Sequence, residues 1–334
     1  MFGKRSDGKR LKHMPAFDKI LPMLMKERND AMTMTTIEFD TEPIKKFIKK
    51  QQEETGKVYR FFDILVAGIV RVIALRPALN RFIVNTRYYQ RHNIQMGMTV
   101  QKSLKEGKEE NETNLKVTFD GTETIDEVMD KINKEQFEAK RVTEPNKTDI
   151  FLEKFMNGPH WIVKTAVGLL KWMDKHGMLS KGFVELSPMH ATFFITDLKS
   201  IKLPPVYHHI YNFGTTGMFF ATSQEEEKIY HDKETGEFKV KNVMKVALVM
   251  DERICDGYYY SKSFRMLRRI MENPEVLFRG VKKEELPLDV DSKWKQDQLK
   301  KKEEAKKAKI DEKELKKRAK IDKEEAKSKR ELNK

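Results

Sequence analysis

One unit limits what this chain can become: residues 245–275, which read K-V-A-L-V-M-D-E-R-I-C-D-G and then Y-Y-Y-S-K-S-F-R-M-L-R-R-I-M-E-N-P-E. Val246 to Met250 is a short run of bulky and β-branched residues, the pattern of a buried strand. Asp256-Gly257 supplies a turn, because Gly adopts the left-handed backbone without penalty. Tyr260, Phe264, Leu267 and Met271 then recur at i, i+4, i+7 and i+11, one face of a helix that stops before Pro274. A strand that hands a charged turn straight to a packed helix holds that turn rigid, as scaffolds do for reactive groups. Asp-Gly is also an ordinary turn dipeptide, and a second stands at Asp120-Gly121. The rest of the chain must decide what the turn is for.

The 334 residues, 39% of them hydrophobic, suffice for one large domain or two modest ones. The net charge of +14 is uneven. From Ser292 to Lys334 there are 18 Lys+Arg against 10 Asp+Glu, which leaves 48 against 42 elsewhere (66 less 18, 52 less 10). The basic character therefore belongs mostly to the tail and says little about nucleic acid. A single cysteine, Cys255, excludes an intramolecular disulfide framework and a multi-cysteine zinc site, and its natural setting is a reducing cytoplasm. The first dozen residues are polar and basic, with no secretory pattern. The most apolar run, Phe61 to Leu75, is interrupted by Asp63 and Arg71 and is too short to span a bilayer, so a buried core helix is expected and no membrane partner.

In chain order, residues 1–16 are expected to be a flexible basic lead. A short helical stretch at 17–32 precedes a strand at 35–40. Thr41 is the expected N-cap of a helix that runs through I-K-K-F-I-K-K-Q-Q. After Gly56 comes the long apolar helix, closed by Arg76-Pro77. R-F-I-V-N, N-I-Q-M-G-M-T-V and L-K-V-T-F predict three strands, with a solvated loop between the last two. Asp126 to Asn133 begins an amphipathic helix, and 140–155 has no clear pattern. Trp161 to Met173 predicts a helix whose Trp161, Val163, Val167, Leu170 and Met173 face the interior. A-T-F-F-I-T-D-L at 191–198 predicts a strand, and 206–223 a glycine-interrupted strand pair or bulge. A hairpin turning near Glu234–Gly236 leads back into the opening strand. From Trp294 the chain becomes Lys/Glu/Ala-rich, and A-K-I-D recurs eleven residues apart, at 308–311 and 319–322. Residues 291–334 thus predict a charged, solvated helix or disordered tail. Interspersed helices and hairpin strands favour a two-layer α/β class, a mixed sheet with helices packed on it, over residues 17–290.

The segment ending V-M-D-E-R-I-C-D-G-Y-Y-Y-S-K-S-F-R-M-L-R-R-I-M-E-N-P-E resembles the C-terminal signature of the 2-oxo acid dehydrogenase acyltransferases. That superfamily, which includes chloramphenicol acetyltransferase, carries His-x-x-x-Asp-Gly on a strand–turn–helix. Asp256-Gly257 and Asn273-Pro274-Glu275 match, and Cys255 matches the acetyltransferase version. I-E-F-D-T-E-P-I-K-K-F, F-F-D-I-L-V-A-G-I-V-R-V-I-A-L-R-P-A-L-N, F-F-I-T-D-L and Y-H-H-I-Y-N-F-G resemble further family segments in the same order. The resemblance covers residues 17–280 and is weakest over 100–185. It implies a chloramphenicol acetyltransferase-like fold, acyl transfer between coenzyme A and a thiol or other acceptor, and a homotrimer with active sites between subunits. No covalent lipoyl group or metal is implied.

The departure lies at the base. The family's catalytic His sits four residues before the motif's Asp, and that position is Glu252. Imidazole suits proton transfer from a thiol because it titrates near neutrality. A carboxylate of reference pKa about 4.3 faces a thiol near 8.5, a gap of roughly 4 units or on the order of 5–6 kcal/mol for full transfer. Thr196 matches the family's oxyanion-donating hydroxyl, with Thr192 as the alternative register. Asp256 matches the structural Asp of the motif, for which Lys19 is the candidate basic partner. Three functions stay open. The first is an acyltransferase using Glu252, or His208 or His209 in its place. The second is a non-catalytic oligomeric scaffold or acyl-CoA-binding module. The third is nucleic-acid association through the tail, against which ten interspersed acids and missing arginine–aromatic clusters argue.

Overall fold

The computed structural model describes residues 5–101, 112–141 and 157–332. The chain divides into two compact units, Met1–Pro287 and Leu288–Lys334.

The first unit is built on a six-stranded mixed sheet. Its strands are β2 (Met32–Asp40), β5 (Ile94–Gln101), β6 (Glu112–Phe119), β7 (Phe193–Asp197), β8 (Met218–His231) and β9 (Phe238–Asp251), in the order β2-β9-β8-β7-β5-β6. Only β7 runs parallel to its neighbours. β2 pairs along its whole length with β9, from Met32↔Asp251 to Asp40↔Val243. A separate three-stranded antiparallel sheet joins β1 (Gly8–Arg10), β4 (Arg87–Arg91) and β3 (Arg81–Val84). The architecture is the mixed α/β class expected of the sequence.

One face of the large sheet carries α2 (Glu42–Thr55), α3 (Phe61–Leu75), α4 (Ile125–Arg141) and the helix after the Asp-Gly turn. Alternation along the strands sends Ile37 and Phe39, Phe193 and Ile195, and Val246, Leu248 and Met250 into this layer, where they join one core cluster. α3 is buried around almost its whole circumference. Asp63 is tolerated inside because Arg60 clamps it at 2.7 and 2.9 Å. Arg71 donates to the carbonyls of Arg279 and Glu123, as a buried guanidinium must.

Several expectations are corrected. The described part of the lead is built into the fold. β1 pairs with β4, Leu11 and Met14 are buried, and Arg5 donates at 2.8 Å to both Asp7 and Asp174. Arg5 and Asp7 there find partners rather than solvent. Strand β4 was not anticipated, because R-Y-Y-Q-R shows only two apolar residues, side by side. Thr41 does occupy the N-cap position, yet its hydroxyl donates to Glu225 and to the Asn242 carbonyl, while Asp40 accepts from the Glu42 amide. In the helix α5 (His160–His176) Val163 and Asp174 are the buried residues, whereas Trp161 and Val167 are exposed. The segment before β8 is no strand pair. Residues 202–217 form an irregular strap over the sheet's second face, tied by Tyr207 to Thr36 on β2 and by Arg28 to the carbonyls of Tyr211 and Gly214. The unpatterned residues 142–155 and most of the expected loop after β5 lie outside the described residues. α1 (Ala16–Leu24) and the short α6 (Lys181–Leu186) complete the helices of this unit before the motif.

The second unit is a single helix, α8 (Val290–Leu332), about 65 Å long at 1.5 Å per residue. Asp297 stands four residues before Lys301 and Glu303 four before Lys307, the orientation that supports exposed helices by a few tenths of a kcal/mol per pair. Among the described residues no helix is long and apolar enough to cross a membrane.

Candidate active site

The strand and helix of the motif form as its sequence predicts, but Gly257 is the first residue of the helix and does not adopt the left-handed backbone expected of the turn. β9 ends at Asp251, and Asp256 caps the helix α7 (Gly257–Glu272) by accepting from the Tyr259 amide at 2.6 Å. Asp256 makes no hydrogen bond or ion pair with Lys19 among the described residues. Its electrostatic neighbour is Asp18, whose carboxyl is pushed up by burial and by the Asp256 charge. Beneath the turn, Arg253 grips Asp251 through two bonds of 2.8 and 2.7 Å and donates to the Met25 carbonyl. Tyr260 donates to the Asp251 carbonyl at 2.9 Å. Cys255 is mostly buried, and burial pushes its thiol up to about 12, so it is no nucleophile at neutral pH.

Glu252 stands on the exposed side of this turn. Its carboxylate accepts from the Thr33 hydroxyl at 3.0 Å and lines neither of two substantial cavities in this unit, of about 1110 and 770 Å³. Thr196 is far from it. The register Thr196↔Ala221↔Ala247 places Glu252 two strands across and five residues along from Thr196, roughly 19 Å at ordinary strand dimensions. One chain cannot bring that pair onto one carbonyl group.

A different set does converge. Pairing between β5 and β7 stops at Met98↔Ile195, although both strands continue. A cavity of about 1110 Å³ opens there. Its walls include Phe61 and Gln136 from the helix layer, Val100 and Thr196 from the parted strands, and His208 and His209 from the strap. The sheet's second face is shaped by rings. Phe194 lies 5.0 Å from Phe219, and the His208 imidazole stacks on Phe219 at 4.5 Å and 17°. Gly97 makes room for Phe194, because a Cβ there would meet that ring at 2.5 Å. Gly214, at φ +85° with the Met189 carbonyl oxygen 2.2 Å from an added Cβ, lets the strap fold back against residue 189.

His208 is half-buried, and its Nε2 is buried without a hydrogen-bond partner. Burial, reinforced by the adjacent His209, pushes the imidazole below its ordinary value, so it is neutral at pH 7. The Thr196 hydroxyl makes no hydrogen bond among the described residues. Phe194 pairs with Phe219 across the parallel strands and Thr196 is two residues on, so roughly 8 Å separates the Phe219 and Thr196 backbones. Thr192, by contrast, is consumed by structure: it donates to Asn80 at 2.7 Å and accepts from the Gln95 amide. His209 is exposed on the cavity wall. The parted strands and the aromatic floor had no separate signal in the sequence, since Phe194 and Phe219 look like ordinary strand residues.

No protein-family model matches the chain, and a comparison with curated proteins finds no match. Solved structures do resemble it. A dihydrolipoamide acetyltransferase of Azotobacter vinelandii is 11% identical over 80% of this chain and 93% of its own, with a TM-score of 0.45. A truncated catalytic core of the 2-oxoacid dehydrogenase multienzyme complex from Thermoplasma acidophilum is 15% identical over 80% and 99%, with a TM-score of 0.47. A chloramphenicol acetyltransferase is 10% identical over 79% and 99%, also at 0.47. These are the two groups that the sequence motifs resemble. At such identities and scores nothing about activity follows, and function is argued from this chain's own residues.

Proposed function

We propose that this protein is an acyltransferase in which His208 has taken the place of the missing motif histidine as general base, with Thr196 as the oxyanion donor. The observation that carries the proposal is that a neutral His208, stacked on Phe219, lines the same cavity as Thr196, whose hydroxyl makes no hydrogen bond among the described residues. The chemistry is acyl transfer from a thioester such as acetyl-CoA to a thiol. The thiol proton passes to the His208 imidazole, and the sulfur attacks the carbonyl carbon and forms the new C–S bond. Thr196 Oγ–H donates to the tetrahedral oxyanion. Collapse breaks the original C–S bond, and the leaving sulfur takes the proton back from His208. The apolar wall of Phe61, Val100 and Phe219 supports an apolar acyl group, and the cavity volume suits a ligand of drug-like size.

The assay is transfer from acetyl-CoA to dihydrolipoamide. His208→Gln is expected to lower kcat/KM by about 10²- to 10⁴-fold and Thr196→Val by about 10²- to 10³-fold, with Glu252→Gln unchanged. Because the base must be neutral, the rate holds above the His208 pKa and falls as pH drops through a value below 6.5. Loss of activity in Glu252→Gln with retention in His208→Gln would sink this assignment.

A second reading is favoured by the exposure of Glu252. If Glu252 serves, its partner Thr196 must come from another copy, as in the homotrimer that the family resemblance implies. Sedimentation of the wild type, with activity restored by mixing inactive Glu252→Gln and Thr196→Val chains, distinguishes the two. Wild-type chain that binds acetyl-CoA without turnover would leave the scaffold or acyl-CoA-binding role.

A further inference from the structure

A second cavity, about 770 Å³, lies between the segment after α1, the β3–β4 turn and the end of α5. Its ionisable lining is five cations, Lys26, Arg28, Lys171, Lys175 and Arg253, against two acids, Glu27 and Asp174. Asp174 is spoken for, since Arg5 holds it at 2.8 Å. Arg253 is held by Asp251. The ammonium groups of Lys26, Lys171 and Lys175 make no hydrogen bond or ion pair among the described residues. A helix dipole explains Lys175, in the last turn of α5, but not Lys26, which comes from a different part of the chain. At the back stands Arg28, buried, with its Nε 3.7 Å from Asp251 and without a hydrogen bond.

The remaining wall is aromatic. Trp172 is 44% exposed, and its ring lies against His176 at 4.4 Å, which fixes the indole while leaving surface on the cavity side. The rim holds a strained residue: Thr86 sits at φ +59°, the second residue of a two-residue hairpin turn where Gly is usual. Non-glycine residues held in the left-handed region cluster at ligand sites. Glu27 offsets only one of the three ammonium charges, so the cavity keeps a positive excess that an anion would neutralise, and the fixed indole offers a stacking platform for a flat ring.

We propose that this cavity binds a nucleoside phosphate, with the base against Trp172 and the phosphates among Lys26, Lys171 and Lys175. The site does not depend on the acyl-transfer reading, although Phe213 lines both cavities.

Equilibrium dialysis of the full chain with ADP, free of divalent metal, tests it, with adenosine and inorganic phosphate as separate probes. One ADP per chain is expected, bound more tightly than either fragment and weakened by salt. Lys171→Glu combined with Lys175→Glu should weaken ADP at least about tenfold. Trp172→Ala should weaken ADP and leave inorganic phosphate unchanged. All three side chains are exposed, and an unchanged unfolding midpoint confirms that the variants fold. Absence of saturable ADP binding at about 1 mM, a tightness no greater than that of phosphate, or insensitivity to the lysine pair would overturn the proposal.

Discussion

Replacing Asp256 tests whether the motif's aspartate acts as a helix cap or as one half of a charge pair. The carboxylate accepts from the Tyr259 amide at 2.6 Å, so Asp256→Ala leaves an N-terminal donor of α7 without its partner. Loss of a cap costs about 1 kcal/mol, with up to about 2 at well-ordered sites, and loss of the charge at the helix N-terminus a few tenths more. Solvent screening holds the charge contribution down, because Asp256 is exposed. Asp256→Asn keeps the cap, since the amide oxygen accepts the same bond, and it removes the repulsion with Asp18, which the raised Asp18 carboxyl reports. The expected order is therefore a loss of about 1.5 kcal/mol for Ala and under about 0.5 for Asn. For a unit of 287 residues, an unfolding entropy of about 2.1 cal/mol/K per residue makes 1.5 kcal/mol a shift of about 2.5 °C in Tm. Calorimetry of wild type, Asp256→Ala and Asp256→Asn side by side resolves this. Equal losses for Ala and Asn would show that the charge matters rather than the cap, and would restore a basic partner such as Lys19.

Two more outcomes follow from buried groups. Arg253→Met should cost about 3–5 kcal/mol by urea titration, because it leaves the Asp251 carboxylate buried without its bidentate partner; the double change with Asp251→Leu should cost less than the two separate losses combined. His190 is fully buried, 2.8 Å from the Ser187 hydroxyl and 3.2 Å from Asp174, with Arg5, Asp7 and Arg91 around it, and burial lowers its pKa below 6.5. The unfolded chain therefore binds the proton more readily, and stability falls as pH drops below about 6.5. The loss attributable to His190 between pH 7.5 and 5.5 is to be read as the difference in urea-derived stability between wild type and His190→Gln, which should itself show less of it. Asp174, held down to about 2 by its partners, keeps its charge throughout that range.

The motif was legible because its information is local. Val246–Met250, Asp256 and the Tyr260–Met271 face each follow from periodicity and capping within thirty residues, and all stand where those rules put them. The proposed base is not legible in the same way. His208 and His209 are one dipeptide, and only tertiary packing distinguishes them: one ring stacks on Phe219, the other is exposed. The lead was misread for a related reason. Arg5 and Asp7 look solvated in sequence, and their partners, Asp174 and Arg91, lie 169 and 84 residues away. The exposed Trp161 shows the converse, since a helical apolar pattern does not say which turns find a neighbour. The second cavity left no trace at all, because Lys26, Thr86 and Trp172 meet only after three separate elements have packed.

The pairing of Met32 with Asp251 also sets an order of events in synthesis. β2 is made before the other strands of the large sheet, yet among the described residues its one sheet partner is β9, completed 219 residues after Met32. At about 5–20 residues per second this interval is roughly 10–40 s on the ribosome. Through it the apolar side of β2, with Ile37 and Phe39, has no strand to join. The large sheet can therefore close only after β9 has been made, and β2 must be kept from pairing elsewhere until then.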